Sequence, residues 1–451
     1  MESKTRSSFS HVLSPHVQNA LEEYDEPIAA IVHLQSSKSE TISASDSQNG
    51  EIPLESLNAS RTKGPALIRR EDLARISLIG TGRFSKVHLA AGPSWLLSED
   101  SSTKERRPSS LVAVKSINVS RIQDDSDFGL VAGEIANEVK ILSQLEHKNI
   151  VRLLGVCSES FSESFRGEGY FLVLEVLRET LSDRLQQWRR QKQMMKKSRS
   201  LGGYLCSFVK KNDQVLRSVA TNSNRFSSST SVTSIDTETS LDGGKRRLYH
   251  RIRDTVLGVA DGLEYLHSKG IVLRDLKPAN IGYVNTSDVH YGTVRSDIDD
   301  GDESSDLVRL FDFGMAEQVE LCDRFEMCGS LRYMAPEAMN GEGYSFKVDV
   351  YSFGVVLFEI CSLCHPFAKS LQTKKKQRTD KTVVQKQIDV FYNRVLAGEI
   401  RPFENMEESV CCPELRDLIK DCCEMKPMNR PTLTAIRSRL ASIFNASMNS
   451  I

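Results

Sequence analysis

Leu273-Arg-Asp-Leu-Lys-Pro-Ala-Asn280 is the stretch on which the fold turns. Before it, the apolar stripe Ile252, Val256, Val259, Leu263 and Leu266 predicts a helix that stops at Gly270. After it come Asp312-Phe-Gly314 and Ala335-Pro-Glu337. Then Val350 to Ile360, apolar on nearly all sides, predicts the buried centre of a helical lobe. Farther upstream the pattern changes to the short runs Ile76-Ser-Leu-Ile79, Val87-His-Leu-Ala90 and Leu111-Val-Ala-Val114, which predict a small antiparallel sheet. A helix follows, with Val131, Ile135, Leu142 and Leu145 at helical spacing and Glu138 on the same face. Strands over Ile150 to Leu154 and Phe171 to Leu174 complete this first lobe.

Two features near the start of that lobe carry chemistry. Gly80-Thr-Gly82-Arg-Phe-Ser-Lys-Val87 lies between two strands, where glycine lets backbone amides approach phosphate oxygens. By itself the stretch reads as an ordinary glycine hairpin. Its return to a strand separates it from a dinucleotide-binding fingerprint, which leads into a helix. Lys115 ends an apolar strand, where an ammonium is costly to bury unless an anion meets it, and Glu138 is the available anion.

Taken in order, Gly80 to Val87, Lys115, Glu138, Leu273 to Asn280, Asp312-Phe-Gly314 and Ala335-Pro-Glu337 resemble the signature set of the protein kinase family, over about residues 75 to 445. The resemblance implies an α+β bilobal kinase fold, with a small antiparallel-sheet N-lobe (71–175) holding one helix and a larger, mainly helical C-lobe (176–446). It implies transfer of the γ-phosphate of Mg-ATP to protein hydroxyls, with Asp275 as catalytic base and Lys277 beside the γ-phosphate. Asn280 and Asp312 match the Mg2+ ligands, and Lys115, held by Glu138, matches the lysine on the α- and β-phosphates. Gly80, Thr81, Gly82, Arg83, Phe84, Ser85, Val87, Ala113, Lys115, Leu174, Glu175 and Leu177 are the implied ATP contacts. Leu174 guards the back of the adenine pocket, and Glu175 to Leu177 offer backbone hydrogen bonds. Asp349 matches the aspartate that braces the catalytic loop, and Arg430 the partner of Glu337. Lys277 and Gly329 to Glu337 resemble serine/threonine kinases, so protein Ser/Thr hydroxyls are the expected acceptors; Val350 to Gly354 and Cys423 to Pro431 are closest in pattern to the tyrosine-kinase-like branch. A pseudokinase scaffold that binds nucleotide weakly is the alternative.

Three positions depart from the family pattern. Leu273 replaces a histidine and keeps its apolar packing beside Phe313, Leu142 and Leu153, without a hydrogen bond. Ser85 replaces the third glycine. Gly282 replaces a bulky apolar residue beneath adenine, which predicts a thin pocket floor. Arg274 suggests a loop ordered by phosphate, yet Met315 to Gly329 contains no Ser, Thr or Tyr. Glu320, Asp323 and Glu326 are candidate partners for Arg274 in its place. Ser330 aligns with a hydroxyl that contacts Asp275 and Lys277, so its modification is expected to inhibit.

With 59 basic and 60 acidic residues in 451, the formal charge of -1 gives no whole-chain attraction to nucleic acid, and no nucleic-acid partner is expected. No apolar run is long enough for a membrane span and the N-terminus lacks a signal-peptide pattern, so cytosol or nucleus is expected. The 10 scattered cysteines read as reduced thiols; Cys361-x-x-Cys364 lacks a well-shaped second half for zinc. Residues 1–70 read as a disordered arm, and the polar stretches near 94–109, 190–245, 286–306 and 369–387 as disordered insertions. The basic run Lys374 to Arg378 reads as a solvated loop, with a nuclear address as the alternative.

Overall fold

A computed structural model describes residues 65–448 apart from 83, 94–95, 97–109, 123–124, 160–169, 195–236, 286–305, 320–327, 342–344, 372–380, 404–405 and 407–410. Most of the arm, Arg83, the Ser-rich part of the largest insertion, the acidic trio Glu320, Asp323 and Glu326, and the run from Lys374 to Arg378 lie outside the described residues.

Short β-prone runs form β1 (Ala66–Ile68), β2 (Ala74–Thr81), β3 (Ser85–Gly92), β4 (Ser110–Ile117), β5 (Leu153–Cys157) and β6 (Phe171–Leu174). They make one sheet in the order β1-β5-β6-β4-β3-β2. Every pairing is antiparallel except β1 with β5. The arm expected over residues 1–70 therefore ends earlier. Ile68 is fully buried against Gly155, where a Cβ would come within 2.7 Å of its Cγ1. Ala66-Leu-Ile68 is too short to display a period, so only its sheet pairing reveals it.

The helix α1 (Asp125–Leu142) packs with this sheet in one core, burying Val131, Ile135, Val139 and Leu142 along one face. The strand expected over Ile150 to Leu154 shifts to Leu153–Cys157. Residues 149–151 instead pair with the second lobe, Leu310 N donating to Asn149 O at 2.8 Å and Val151 N to Leu310 O at 2.9 Å.

Beyond β6 lie β7 (Glu179–Thr180), the helix α2 over 181–194, and α3 (Thr237–Ser268), which ends before Gly270 at φ +75°. Next come β8 (Ile271–Val272), β9 (Ile281–Asn285), β10 (Asp306–Leu310) and β11 (Glu317–Gln318). The sheet β10-β9-β7 and the ladder β11-β8 flank the segment Leu273–Asn280. The helices α4 (Pro336–Met339), α5 (Lys347–Ser362), α6 (Lys381–Leu396), α7 (Pro413–Cys422) and α8 (Leu433–Met448) complete the lobe around α5, whose residues Val348 to Ser362 are all buried.

Two of the expected insertions also change their bounds. The stretch expected as disordered over 190–245 contains the end of α2 and the first residues of α3, and that over 369–387 contains the start of α6. Polar composition conceals these helical turns, because the buried apolar side chains lie elsewhere in the helix, at Leu181 and Leu185 in α2 and at Phe391 and Val395 in α6. Among the described residues, no helix is long and apolar enough to cross a membrane.

Candidate active site

Cross-strand register collects the first group of predicted residues. Gly80 on β2 faces Val87 on β3, Val87 faces Lys115 on β4, and Ala113 faces Leu174 on β6. The turn between β2 and β3 is closed by Gly82 N donating to Ser85 O at 2.8 Å, with Phe84 buried beneath it. A Cβ on Gly82 would lie 2.6 Å from Ser85 Oγ, so the serine at the third glycine position fills space that the second glycine leaves open.

Lys115 meets two carboxylates. Its Nζ lies 2.6 Å from Glu138 Oε2 on α1 and 2.6 Å from Asp312 Oδ1. Burial alone would lower the ammonium's pKa, but the charges of Asp312 and Glu138 outweigh it and hold Lys115 above the ordinary lysine value. Lys115 holds the Asp312 carboxyl below its usual range, whereas burial keeps Glu138 above its own despite the lysine. The helix α1 also fixes the chain after Asp312. Asn137 Nδ2 donates to Gly314 O at 3.0 Å and Ala316 O at 2.7 Å, and Phe313 N points at Glu138 Oε1 at 3.4 Å. Asp312 itself takes φ +67°, a sparsely populated conformation for a residue with a Cβ.

The second group surrounds Asp275. Lys277 Nζ lies 2.5 Å from Asp275 Oδ2 and 3.0 Å from Ser330 Oγ. Asn280 Nδ2 donates to Asp275 O at 3.0 Å and to its Oδ2 at 3.2 Å. Asp275 Oδ1 is buried and has no hydrogen-bond partner among the described residues. Beneath the loop, the fully buried Asp349 accepts from Leu273 N and Arg274 N, both at 2.9 Å, and meets His267 Nε2 at 2.9 Å. Leu273 is buried in one core with Leu142 and Phe313, and Leu153 packs against it, so leucine fills the histidine position by volume.

The donor set suits a hard divalent cation. Asn280 spends its amide nitrogen on Asp275 and Asp312 spends Oδ1 on Lys115, so Asn280 Oδ1 and Asp312 Oδ2 are the oxygens of these side chains that could hold such an ion. Magnesium takes one or two protein oxygens of this kind, with phosphate and water completing its shell.

Three residues acquire roles that the motifs do not reveal. The thin floor expected at Gly282 is closed from the hinge by Leu177, since a Cβ on Gly282 would lie 2.5 Å from Leu177 Cδ1. Arg309, opposite Gly282 in the β10-β9 ladder and fully buried, reaches Glu175 with Nε at 2.7 Å. Glu175 N donates to Arg152 O at 3.2 Å, so the N–H of this hinge residue is already engaged. Arg274, at φ +65°, pairs with Glu317 at 2.6 Å. The hinge leucine, a cation three residues before Asp312 and an acid five residues after it are visible in sequence, but only the tertiary pairing distinguishes them from ordinary surface residues.

The protein kinase domain model matches residues 73–210 and 231–440, and the chain belongs to that family. It is 25% identical over 340 residues, 74% of this chain, to "Serine/threonine-protein kinase VIK" of Arabidopsis thaliana, covering 54% of that protein. It is 26% identical to "Mitogen-activated protein kinase kinase kinase dlk-1" of Caenorhabditis briggsae, over 66% of this chain and 24% of the relative. It is 28% identical to a "Probable serine/threonine-protein kinase" of Dictyostelium discoideum, over 40% of this chain and 34% of the relative. The chain thus spans between about a quarter and about a half of these relatives' lengths.

Proposed function

We propose that this chain is a serine/threonine protein kinase that transfers the γ-phosphate of Mg-ATP to protein hydroxyls, with Asp275 as catalytic base. The observation that carries the proposal is the division of labour within one carboxylate. Oδ2 is occupied by Lys277 and Asn280, while the buried Oδ1 lacks a partner among the described residues. Buried acceptors are normally satisfied, and an open oxygen beside a lysine suits a group that accepts a proton from an incoming hydroxyl.

Lys277, already shared between Asp275 and Ser330, is placed to offset charge on the transferred phosphoryl group. Lys115 holds the other phosphates while Glu138 fixes its direction. When bound, Mg2+ supplies charge neutralisation on the phosphate oxygens, with Asn280 and Asp312 as its protein ligands. Leu273 and Gly282 favour a pseudokinase on sequence, but buried Leu273 and the covering side chain of Leu177 supply the missing volume.

A peptide library carrying Ser, Thr or Tyr acceptors, incubated with radiolabelled Mg-ATP, tests this reading. Label is expected on Ser and Thr peptides alone and is lost on Lys115→Met. No label on any peptide from protein that binds ATP supports the pseudokinase instead.

A further inference from the structure

We infer that Glu317 holds the catalytic segment in its working shape in the role a loop phosphate would fill, so that transfer does not depend on phosphorylation of the chain. This inference rests on the kinase reading above and names the regulation of the same site.

Arg274 sits immediately before Asp275, and its backbone is tightly constrained. Its φ is +65°, its N–H is bound by Asp349, and its carbonyl abuts Gly329. A Cβ at Gly329 would lie 2.8 Å from that carbonyl oxygen, and Gly329 takes φ +107°, so glycine is required for the approach. The Arg274 side chain reaches the other end of the same segment. Nε donates to Met315 O, and Nη1 meets Glu317 Oε2 at 2.6 Å. One residue therefore touches both ends of the stretch from 315 to 329, at positions 315, 317 and 329.

Glu317 is held for this contact by the β11-β8 ladder, where it faces Val272, two residues before Arg274. The paired side chains are only 13% and 19% exposed, so solvent and salt screen them weakly. The carboxylate is encoded in the chain and needs no modifying enzyme to install it. A phosphate could supply a similar anion for the arginine, but residues 315 to 329 offer no hydroxyl to carry one. The next hydroxyl, Ser330 Oγ, lies 3.0 Å from Lys277 Nζ, which in turn contacts Asp275. A phosphate there would compete for Lys277 and place negative charge beside the base. The acids expected to pair with Arg274, Glu320, Asp323 and Glu326, lie outside the described residues; among the described residues the arginine pairs with Glu317, an earlier acid on the ladder.

The test compares phosphatase-treated full-length protein, Glu317→Gln and Glu317→Asp. It measures kcat, KM for ATP, and amide exchange over residues 271–272 and 317–319. Phosphatase is expected to leave kcat within about twofold of untreated protein, while Glu317→Gln lowers it by about tenfold or more. KM for ATP should stay within about twofold, and Glu317→Asp should restore part of kcat, a split that general destabilisation would not give. Exchange over both segments should accelerate in Glu317→Gln. Loss of activity on phosphatase treatment, or wild-type kcat in Glu317→Gln, overturns the inference. If no form transfers phosphate, the kinase reading falls and exchange decides alone: acceleration in Glu317→Gln preserves the anchoring role, and unchanged exchange ends it.

Discussion

Gly282 illustrates how one missing side chain is answered by another. Leu177 Cδ1 occupies the volume that a Cβ at Gly282 would enter, so the floor beneath the proposed adenine site comes from the hinge. Adding a leucine should therefore not strengthen nucleotide binding. Gly282→Leu is expected to lower ATP affinity by about 1–3 kcal/mol through overpacking, and Gly282→Leu with Leu177→Ala to recover most of it. Nucleotide titration of the two variants checks this; a gain in affinity from Gly282→Leu alone would contradict it. The carboxylates around Lys115 make a second residue-scale prediction. Glu138 lies above its ordinary value because of burial, and Asp312 below its own because of Lys115. On acidification Glu138 should accept a proton first, leaving Lys115 paired with Asp312. The raised Glu138 contributes stability that is present below its unfolded value and lost as pH rises through its folded one. Depressed Asp312 contributes stability present above its unfolded value and lost as pH falls through its folded one. A carboxyl-carbon NMR titration in which Asp312 protonates before Glu138 would contradict this order.

Elements are joined here by buried polar groups as much as by apolar contact. Arg430, ahead of α8, places Nη1 2.6 Å and Nη2 2.7 Å from the carboxylate oxygens of Glu337 on α4. It also donates to the carbonyls of Glu424 and Lys347, both at 2.8 Å, which ties α4, α5 and the chain after α7 together. Removing one member leaves the other charged and buried. Arg430→Leu is therefore expected to lower stability by about 3–5 kcal/mol, read as a shift in the urea midpoint. A shift below about 1 kcal/mol would show that the pair is dispensable. This tie was legible from sequence because Ala335-Pro-Glu337 and Arg430 belong to the resemblance, as were β2, β3, β4, β6 and α5, whose apolar runs are long enough to show their period. The strand β1, the start of β5, the end of α2 and the starts of α3 and α6 were not. In the strands the residues are placed by pairing with distant chain, as Ile68 is by Gly155 and Val151 by Leu310.

Across the molecule, two lobes bring together groups that lie far apart in sequence. Lys115 and Glu138 come from the first lobe and Asp312 from the second, while Asn149 and Val151 pair with Leu310 across the junction. The catalytic candidates were legible because each lies in a short motif. The roles of Leu177, Arg309 and Glu317 depend on the fold, since their partners Gly282, Glu175 and Arg274 lie 105, 134 and 43 positions away. All of these residues converge on one claim, that the open oxygen of Asp275 takes the proton of a protein hydroxyl as phosphate is transferred. The most direct test is the rate of γ-phosphate transfer from radiolabelled Mg-ATP to a Ser/Thr peptide by the wild type and Asp275→Asn, at matched ATP occupancy. A fall of on the order of a hundredfold or more in Asp275→Asn, with ATP binding retained, is the predicted result; equal rates in the two proteins would contradict the account.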